Sequence, residues 1–344
     1  MKKFNIVIQC IARGEELYLK EWIEYHLGLG IEHIYLYDNN DDTTTLPIFL
    51  DAELNETDRA KVTVTDWNRR HRYPQNTAYR HFAKNYGNLT DWVLSIDIDE
   101  FLILEKPLTE FLQEFDYASQ VWLSWKNFGA DGKLTYSPEP VTQRFQNEVE
   151  LSDLVQGKVI VRPDKVSVYG IHSCGLKDKS AITVNVNHQK IEQTPILHPQ
   201  PPIYAGAWIN HYFTKSLEEW ESKIKRGCAD DRFCRRYEAF FEINPDLAEH
   251  KDPNFQAVQN PPIVRPTYFE RKIFSNWSEE QKTEYEKGKL RQRREAECFS
   301  VINRGEPWYD ELTNLQKIEL KNWYLAWLNV TDTMIIPKPP EWLK

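Results

Sequence analysis

The first hundred residues alternate between short apolar runs and stretches with helical spacing, and this order restricts the fold more than any other feature. Four runs are predicted to be β-strands, at residues 4–11, 33–37, 61–65 and 92–96. Helices are predicted from Glu16 to Leu29 and again from Pro74, a residue favoured at the first position of a helix. Strands and helices that alternate along the chain are typical of an α/β fold, a mostly parallel sheet with helices on both faces.

Charged and polar side chains follow these predicted strands at the point where each strand ends. They are Arg13 and Glu15 after the first strand, Asp38 and Asn39 after the second, Asp66 after the third, and Asp97 with Asp99 after the fourth. In open parallel sheets, ligands bind beyond the carboxyl ends of the strands. Side-chain packing alone does not account for a cluster rich in carboxylates at that edge, so the sequence predicts a binding site there.

Asp97 and Asp99 come directly after the apolar run from Trp92 to Ile96. Side chains in an extended segment alternate between two faces, so these two carboxylates point to the same side. Like charges held this close repel each other unless a cation lies near them. Oxygen ligands of this kind suit Mg²⁺ or Mn²⁺, which usually also hold a substrate phosphate. An acidic turn at the end of a strand is the alternative interpretation.

The composition restricts the partners and the compartment. A net charge of −9 argues against a general binder of nucleic acid or of anionic membranes, which needs a basic surface. The five cysteines are odd in number and form no close zinc-like pair, so we interpret them as reduced thiols. No apolar run approaches the roughly 20 residues of a membrane helix, and the first run is too short for a signal peptide. We expect a cytoplasmic protein, with peripheral contact at the inner face of the membrane left open.

The pattern changes beyond the fourth predicted strand. Short β runs separated by proline and glycine predict hairpins. A helix is predicted after Ser216, where Glu219 three residues later completes a capping box. The last third of the chain is polar with helical spacing. We therefore expect an α/β part that contains the binding site at residues 1–230 and a helical C-terminal extension at residues 231–344.

Six segments of the chain match a known family in the same order. They are ARGEELYLKEWIEYHLGLGIEHIYLYDNN, the helix that contains Gln75, DWVLSIDIDEFL, WKNFGADG, GKVIVRPDKV with IHS, and NHYFTKSLEEWESKIKRG. On these segments, which cover roughly residues 5 to 227, the chain resembles bacterial GT-A-type glycosyltransferases of family 92, related to the large family 2. One position departs from the family pattern, since Gly14 stands where the family usually has asparagine.

This resemblance implies a GT-A fold, which is Rossmann-like, and transfer of a sugar with inversion at the anomeric carbon. The donor would be a nucleotide-sugar, commonly a uridine diphosphate (UDP) sugar. The resemblance thus implies that the first part, residues 1–230, binds the nucleotide-sugar and carries out catalysis. The acceptor would be a hydroxyl of a glycan or lipid-linked molecule in surface-polysaccharide synthesis. The family also implies a divalent metal, usually Mn²⁺ (or Mg²⁺). A metal held by Asp97 and Asp99 would neutralise the charge that develops on the diphosphate leaving group.

The resemblance also assigns candidate metal ligands. The last aspartate of the motif holds the metal in related enzymes, so Asp99 is the expected ligand, while Asp97 is expected to contact sugar hydroxyls or to reach the metal through water. GT-A enzymes often supply a late histidine as a further ligand. His211 and His172 are the candidates, with His211 slightly favoured, and a structural hydrogen-bonded histidine is the alternative for each.

The remaining candidates concern the donor and the acceptor. Arg13 and Glu15 are expected where the base enters, with a surface ion pair as the alternative. Asp38 with Asn39 is expected at the uracil or ribose, with a turn as the alternative. Arg72 of the basic loop is a candidate for the diphosphate and Gln75 for a sugar hydroxyl. Inversion requires a carboxylate that accepts the proton of the attacking hydroxyl, for which Asp131 is the first choice and Glu148 the second.

Two other functions remain open from the sequence. A metal-dependent phosphodiesterase or nucleotidyl enzyme would also place acids at strand ends, although it normally needs a second metal cluster that we cannot assemble from this chain. A carbohydrate-binding protein of GT-A shape without activity is the other alternative. The sequence does not indicate the oligomeric state.

Overall fold

The computed structural model describes residues 2–41, 43, 45–68, 73–150, 155–178, 180–191, 197–198, 202–227, 236–252, 255 and 278–343. Its strands are β1 Phe4–Ala12, β2 His33–Asp38, β3 Val62–Asp66, β4 Thr90–Ser95, β5 Glu100–Leu104, β6 Gln120–Phe128, β7 Glu148–Val149, β8 Val155–Val161, β9 Val166–Val168, β10 Gly175–Leu176, β11 Thr183–Asn185, β12 Leu197–His198 and β13 Ala207–His211. The helices up to residue 250 are α1 Glu16–Gly28, α2 Thr45–Glu53, α3 Glu56–Arg59, α4 Pro74–Asn85, α5 Leu108–Glu114, α6 Val141–Arg144, α7 Leu217–Lys225 and α8 Glu238–Ile243. Short 3₁₀ turns span Gly87–Leu89, Pro163–Lys165 and Pro245–His250.

One central sheet contains most of these strands, in the order β3-β2-β1-β4-β8-β6-β13-β5. The four strands predicted from the first hundred residues are neighbours and all parallel, so their carboxyl ends lie at one edge. Strand β8 runs antiparallel to both β4 and β6, and β13 runs parallel to β6. The sheet is therefore parallel in its first half and mixed in its second.

Apolar side chains cover both faces of the parallel half. On one face, Val7 and Val93 join a core cluster with Phe82 of α4. The alternate residues of β1, such as Ile6 and Ile8, point to the opposite face and are equally buried. A strand buried on both faces reads as an unbroken apolar run, which is the pattern that predicted these strands.

The structure corrects the predicted hairpins in the second half of the chain. Strands β6, β8 and β13 join the central sheet, and β11 pairs parallel with β6. Among the described residues, β9 and β10 form the separate antiparallel pair. The sequence analysis also missed α2 and α3, and it missed β5, which pairs antiparallel with β13. Strand β5 begins at Glu100, directly after the acidic pair, so charged residues interrupted the pattern by which strands were identified.

The chain divides into two compact units. The first comprises residues 1–43 and 53–272, and the second residues 44–52 and 273–344. The second unit contains α2, α9 Glu279–Arg293, a π-helical turn Arg294–Phe299, α10 Ser300–Ile302, α11 Glu306–Asp310, α12 Asn314–Leu328, α13 Val330–Thr333 and a 3₁₀ turn Glu341–Leu343. Its core contains Leu290, Leu320, Trp323 and Trp327. The expected boundary between residues 230 and 231 lies outside the described residues.

Two further observations concern expectations from composition. Cys10 and Cys174 are buried free thiols, and Cys298 is buried as well. In the part of the chain that the structure describes, no helix is both long and apolar enough to cross a membrane.

His26 of α1 is a buried histidine that gives the fold a predictable pH dependence. Its Nδ1 lies 2.7 Å from the carbonyl oxygen of Trp22, and its Nε2 accepts a hydrogen bond from the backbone N–H of Leu102 at 3.2 Å. Burial lowers the pKa of His26 to about 3. The unfolded ring takes up a proton near pH 6.5 and the folded ring does not, so its contribution is complete above that pH and is lost as the pH falls toward 3.

We expect this one residue to cost the protein about 2 kcal/mol of unfolding free energy between pH 7 and pH 5. Urea unfolding of the wild type and of His26→Met at the two pH values measures the difference. The variant is less stable at both pH values, but its loss on acidification should be smaller by that amount. Equal losses in the two proteins would contradict the assignment.

Candidate active site

A cavity of about 250 Å³ opens at the edge of the sheet where β1, β4 and β13 end. It brings together eight of the residues that the sequence analysis singled out, namely Arg13, Glu15, Asn39, Gln75, Asp97, Asp99, His172 and His211. These residues come from positions up to 198 apart in the chain (13 to 211), and the sheet order places them around one opening.

Asp97 has both carboxylate oxygens in use. Its Oδ1 accepts a hydrogen bond from the Gln75 amide at 2.8 Å, and its Oδ2 accepts one from the Lys158 ammonium at 2.9 Å. Gln75 is fixed in turn, since it also donates to the hydroxyl of Tyr79. About a third of the Asp97 side chain remains exposed (34%), so it faces the cavity while its orientation is held by two partners.

Asp99 is more deeply buried and pairs with a different lysine. Its Oδ2 accepts a hydrogen bond from Lys223 of α7 at 2.6 Å, and its Oδ1 lies 3.9 Å from Nε2 of His211. Burial opposes the charged form, yet Lys223, His211 and Lys215 together hold the pKa of Asp99 well below its usual range. Asp99 is therefore a carboxylate at neutral pH.

Lys158 and Glu100 form a fully buried pair behind Asp97. Neither side chain is exposed, and the Lys158 ammonium lies 3.5 Å from Glu100 Oε1. Glu100 Oε2 accepts the backbone N–H of Asp97, which fixes the turn between β4 and β5. Burial raises the pKa of Glu100, with the neighbouring Asp97 and Asp99 adding to the effect. The charges of Asp97 and Glu100 raise the pKa of Lys158 despite its burial, so Lys158 stays cationic.

His211, at the end of β13, is placed against Asp99. Its Nδ1 lies 3.0 Å from the side-chain oxygen of Asn127 on β6, an arrangement in which Nδ1 donates and Nε2 keeps its lone pair. Burial lowers the pKa of His211 to about 3, so the ring is neutral. In histidines that bind metals, a hydrogen bond from the other ring nitrogen, like this one to Asn127, orients the ring.

His172 also packs against the Trp125 ring. The centroid of Trp125 is 5.2 Å from that of His172 and 4.2 Å from that of His211. His172 Nδ1 contacts the carbonyl oxygen of Gly157 at 3.1 Å, and burial lowers the pKa of this histidine to about 4. Of the two late histidines, the structure thus brings His211 to the acidic residues, and it leaves His172 on the cavity wall.

Helix α7 carries two cations to the cavity, and a buried ion pair holds its first turn. Ser216 and Glu219 form the predicted capping box. Arg144 of α6 donates two hydrogen bonds, of 2.8 and 2.9 Å, to the carboxylate of Glu219, and both side chains are almost wholly buried. Near the other end of the helix, Arg226 donates to Glu15 and to the carbonyl oxygen of Gly14.

The residues at this cavity fit a divalent cation. One oxygen or nitrogen each of Asp99, Glu100 and His211 lies within 4.8 Å of the others. Two ligands about 2.1 Å from one ion lie roughly 3 to 4.2 Å apart, and the 3.9 Å between Asp99 Oδ1 and His211 Nε2 falls in this range. Asp97 is outside this group, and its two oxygens accept hydrogen bonds from Gln75 and Lys158. Carboxylate and imidazole ligands suit Mn²⁺.

Three of the candidate residues are described and do not line the cavity. Asp38 is fully buried at the end of β2, where its Oδ1 accepts the backbone N–H of Asn40. Asp131 has a positive φ of 51° and accepts backbone N–H groups of residues 146 and 147, so it fixes a turn. Glu148 is exposed and pairs with Lys126. Arg72 lies outside the described residues.

The sequence analysis missed Lys158, Lys223 and Arg226. Lys223 and Arg226 lie on a polar amphipathic helix, where charged residues are ordinarily solvated. Lys158 did give a signal, because it directly precedes an apolar run in the same strand that is buried on both faces: Val159 and Val161 face one side and Ile160 the other. A lysine at such a position requires an acidic partner.

Comparison with known proteins agrees with this geometry. The sequence model of glycosyltransferase family 92 matches residues 7–226, well over half of the chain. The chain belongs to glycosyltransferase family 92. Its fold is the GT-A type that the motifs implied, a Rossmann-like mixed sheet with helices, followed by a helical C-terminal part.

Plant members of glycosyltransferase family 92 are among the relatives. A rice protein (Oryza sativa subsp. japonica) is 26% identical over 189 residues, which is 52% of this chain and 30% of the relative. A Ricinus communis protein is 25% identical over 190 residues, 52% of this chain and 32% of the relative. The matched region therefore spans about a third of the length of these relatives.

Among solved structures, the galactosyltransferase LgtC in complex with donor and acceptor sugar analogues is 17% identical. The alignment covers 46% of this chain and 58% of LgtC with a TM-score of 0.25. A score this low carries no argument about function, and the assignment to glycosyltransferase family 92 rests on the family match.

Proposed function

We propose that this protein transfers a sugar from a nucleotide diphosphate sugar, with a UDP-sugar as the first candidate, to a hydroxyl of a glycan or lipid-linked acceptor. The observation that carries the proposal is the cavity in a family 92 chain where Asp99 and His211 lie beside Lys223 and Arg226. Such a site offers ligands for a divalent cation and fixed positive charges for phosphate oxygens. The same chemistry is needed at a diphosphate leaving group.

The cation in this proposal is Mn²⁺ or Mg²⁺, held by Asp99 and His211 with Glu100 within reach. When bound, such an ion neutralises negative charge on phosphate oxygens. Asp97 is assigned to the hydroxyls of the donor, because its one exposed edge faces the cavity while Gln75 and Lys158 hold its orientation. Arg13 and Asn39 line the end of the cavity beyond β1 and β2, which we assign to the nucleoside.

The proposal includes inversion at the anomeric carbon, an acceptor in surface-polysaccharide synthesis and a location in the cytoplasm or at the inner face of the membrane. These parts derive from the family resemblance. Inversion requires a carboxylate that accepts the proton of the attacking hydroxyl. Among the described residues, each carboxylate that lines the cavity contacts a cation: Glu15 contacts Arg226, Asp97 and Glu100 contact Lys158, and Asp99 contacts Lys223. NMR of the product anomer tests inversion directly.

A panel of nucleotide-sugars with Mn²⁺ tests the proposed activity. We expect hydrolysis or transfer with at least one of them, release of a nucleoside diphosphate, and loss of activity with a chelator that added Mn²⁺ restores. Release of a nucleoside monophosphate would favour the phosphodiesterase alternative. If no donor is turned over and the affinity for sugar is unaffected by the chelator, the result would favour a carbohydrate-binding protein.

A further inference from the structure

Among the described residues, the charges at the cavity are already matched before any ligand enters. Glu15 pairs with Arg226, and Asp99 pairs with Lys223 at 2.6 Å. Asp97 and Glu100 lie 2.9 and 3.5 Å from Lys158, and Arg13, which also lines the cavity, supplies the fourth positive charge. A divalent cation added to this balanced set would leave an excess of positive charge in a largely buried space. Such an excess is unfavourable unless an anion accompanies the cation.

Lys223 is the residue most directly affected by such a cation. Its ammonium occupies one oxygen of Asp99, while the other oxygen faces His211, where a metal fits. A metal at that position and Lys223 would then share one carboxylate at a distance of only a few ångströms. In a low-dielectric site, repulsion between two such cations is strong, so Lys223 weakens metal binding to the empty cavity.

A diphosphate changes this balance because it brings the missing negative charge. Lys223 and Arg226 lie three positions apart near the end of α7, on the same face of the helix, and both line the cavity. With a diphosphate present, the lysine and the metal face its oxygens from two sides, and their repulsion is replaced by a shared attraction.

We propose that Lys223 couples metal binding to diphosphate binding: it keeps the metal affinity of the empty cavity low and contributes to holding the diphosphate once both are present. This inference rests on the proposed function. In this role, Lys223 favours binding of the metal together with the nucleotide over binding of the metal alone. A bare divalent cation is then a poor ligand of the resting protein.

A purely structural role for Lys223 predicts the opposite behaviour. Lys223 also donates to the carbonyl oxygen of Phe213 at 2.9 Å and lies 4.9 Å from that ring, so it does help to position α7. If this were its whole role, removal of the ammonium would disorder Asp99, and Mn²⁺ would bind less tightly. The coupling role predicts that Mn²⁺ binds the nucleotide-free variant more tightly.

The test measures Mn²⁺ affinity by electron paramagnetic resonance in the full-length wild type and in Lys223→Met, each with and without UDP. In the wild type we expect UDP to tighten Mn²⁺ binding by about 5- to 150-fold, the usual range of coupling between two sites. In Lys223→Met we expect Mn²⁺ alone to bind roughly tenfold more tightly and UDP to tighten it much less. Lys225→Met, on the same helix but half exposed and paired with Glu221, is the matched control and should behave as the wild type.

Lys223→Arg keeps the positive charge on a side chain of different shape and should retain the coupling. This variant therefore distinguishes the effect of the charge from the effect of side-chain shape. If Lys223→Met does not fold, Lys223→Gln, whose amide can still donate to Asp99, serves in its place. Unchanged or weaker binding of Mn²⁺ alone in the neutral variant would overturn the inference, as would undiminished coupling by UDP. If the wild type binds neither UDP nor Mn²⁺, the proposed function itself fails; if it binds both and the variant retains the coupling, the role of Lys223 alone fails.

Discussion

Asp99→Asn should reduce sugar transfer by at least about a hundredfold while the protein remains folded. The amide oxygen can still accept the hydrogen bond from Lys223, so the local structure is retained. The negative charge that attracts a divalent cation beside His211 is lost. The measurement is steady-state transfer from the donor that the nucleotide-sugar panel identifies, at saturating Mn²⁺.

Asp91→Asn is the matched control for this prediction. Asp91 is a half-exposed aspartate at the opposite end of β4, where it pairs with Lys2 at 3.4 Å. We expect normal activity from this variant. Activity of Asp99→Asn within a few-fold of the wild type, with circular dichroism unchanged in both variants, would rule out Asp99 as a residue that carries the reaction.

Arg144→Met should lower the free energy of unfolding by about 3–5 kcal/mol, the usual cost of leaving one member of a buried ion pair without its partner. The residue left without its partner is Glu219. Burial disfavours the anionic form of Glu219, but the hydrogen bonds and the charge of Arg144 lower its pKa. Without Arg144, a buried carboxylate is left at the first turn of α7. The helix that carries Lys223 and Arg226 should therefore lose its anchor.

Denaturant unfolding of the wild type and of Arg144→Met measures this loss. Arg236→Met is the control, because Arg236 and Glu242 form an ion pair in which both side chains are more than half exposed. Exposed pairs of this kind contribute about 0–1 kcal/mol. If the two variants lose similar stability, the buried pair does not anchor α7 as inferred.

The parallel half of the fold could be predicted from the sequence because its elements are encoded locally. Strands β1, β2 and β4 are largely buried on both faces and consist mostly of apolar residues, and the N-terminus of α7 carries its capping box at Ser216 and Glu219. The mixed half was not predictable in the same way. The partners of β6 are β7, β8, β11 and β13, which follow it by about 20 to 80 residues in the chain, and no local pattern specifies that pairing.

The same distinction applies to the site. Asp97 and Asp99 could be identified because they directly follow a buried strand, but the expected extended segment is wrong: both lie in the turn between β4 and β5. Their counter-ions could not, since Lys158 is 61 positions from Asp97 and Lys223 is 124 positions from Asp99. Asp131 shows the opposite error: it stands before a glycine in a loop, a sequence typical of a turn, and a turn is where the structure places it.

A crystal structure of the protein with UDP and Mn²⁺ tests the central claim most directly, through the anomalous signal of manganese. We predict one manganese peak about 2.2 Å from Asp99 and from Nε2 of His211, with the diphosphate oxygens between that ion and Lys223. Manganese and nucleotide bound away from this cavity would contradict the claim. An empty cavity in the soaked crystal, with Lys223 and Asp99 still paired, would contradict it as well.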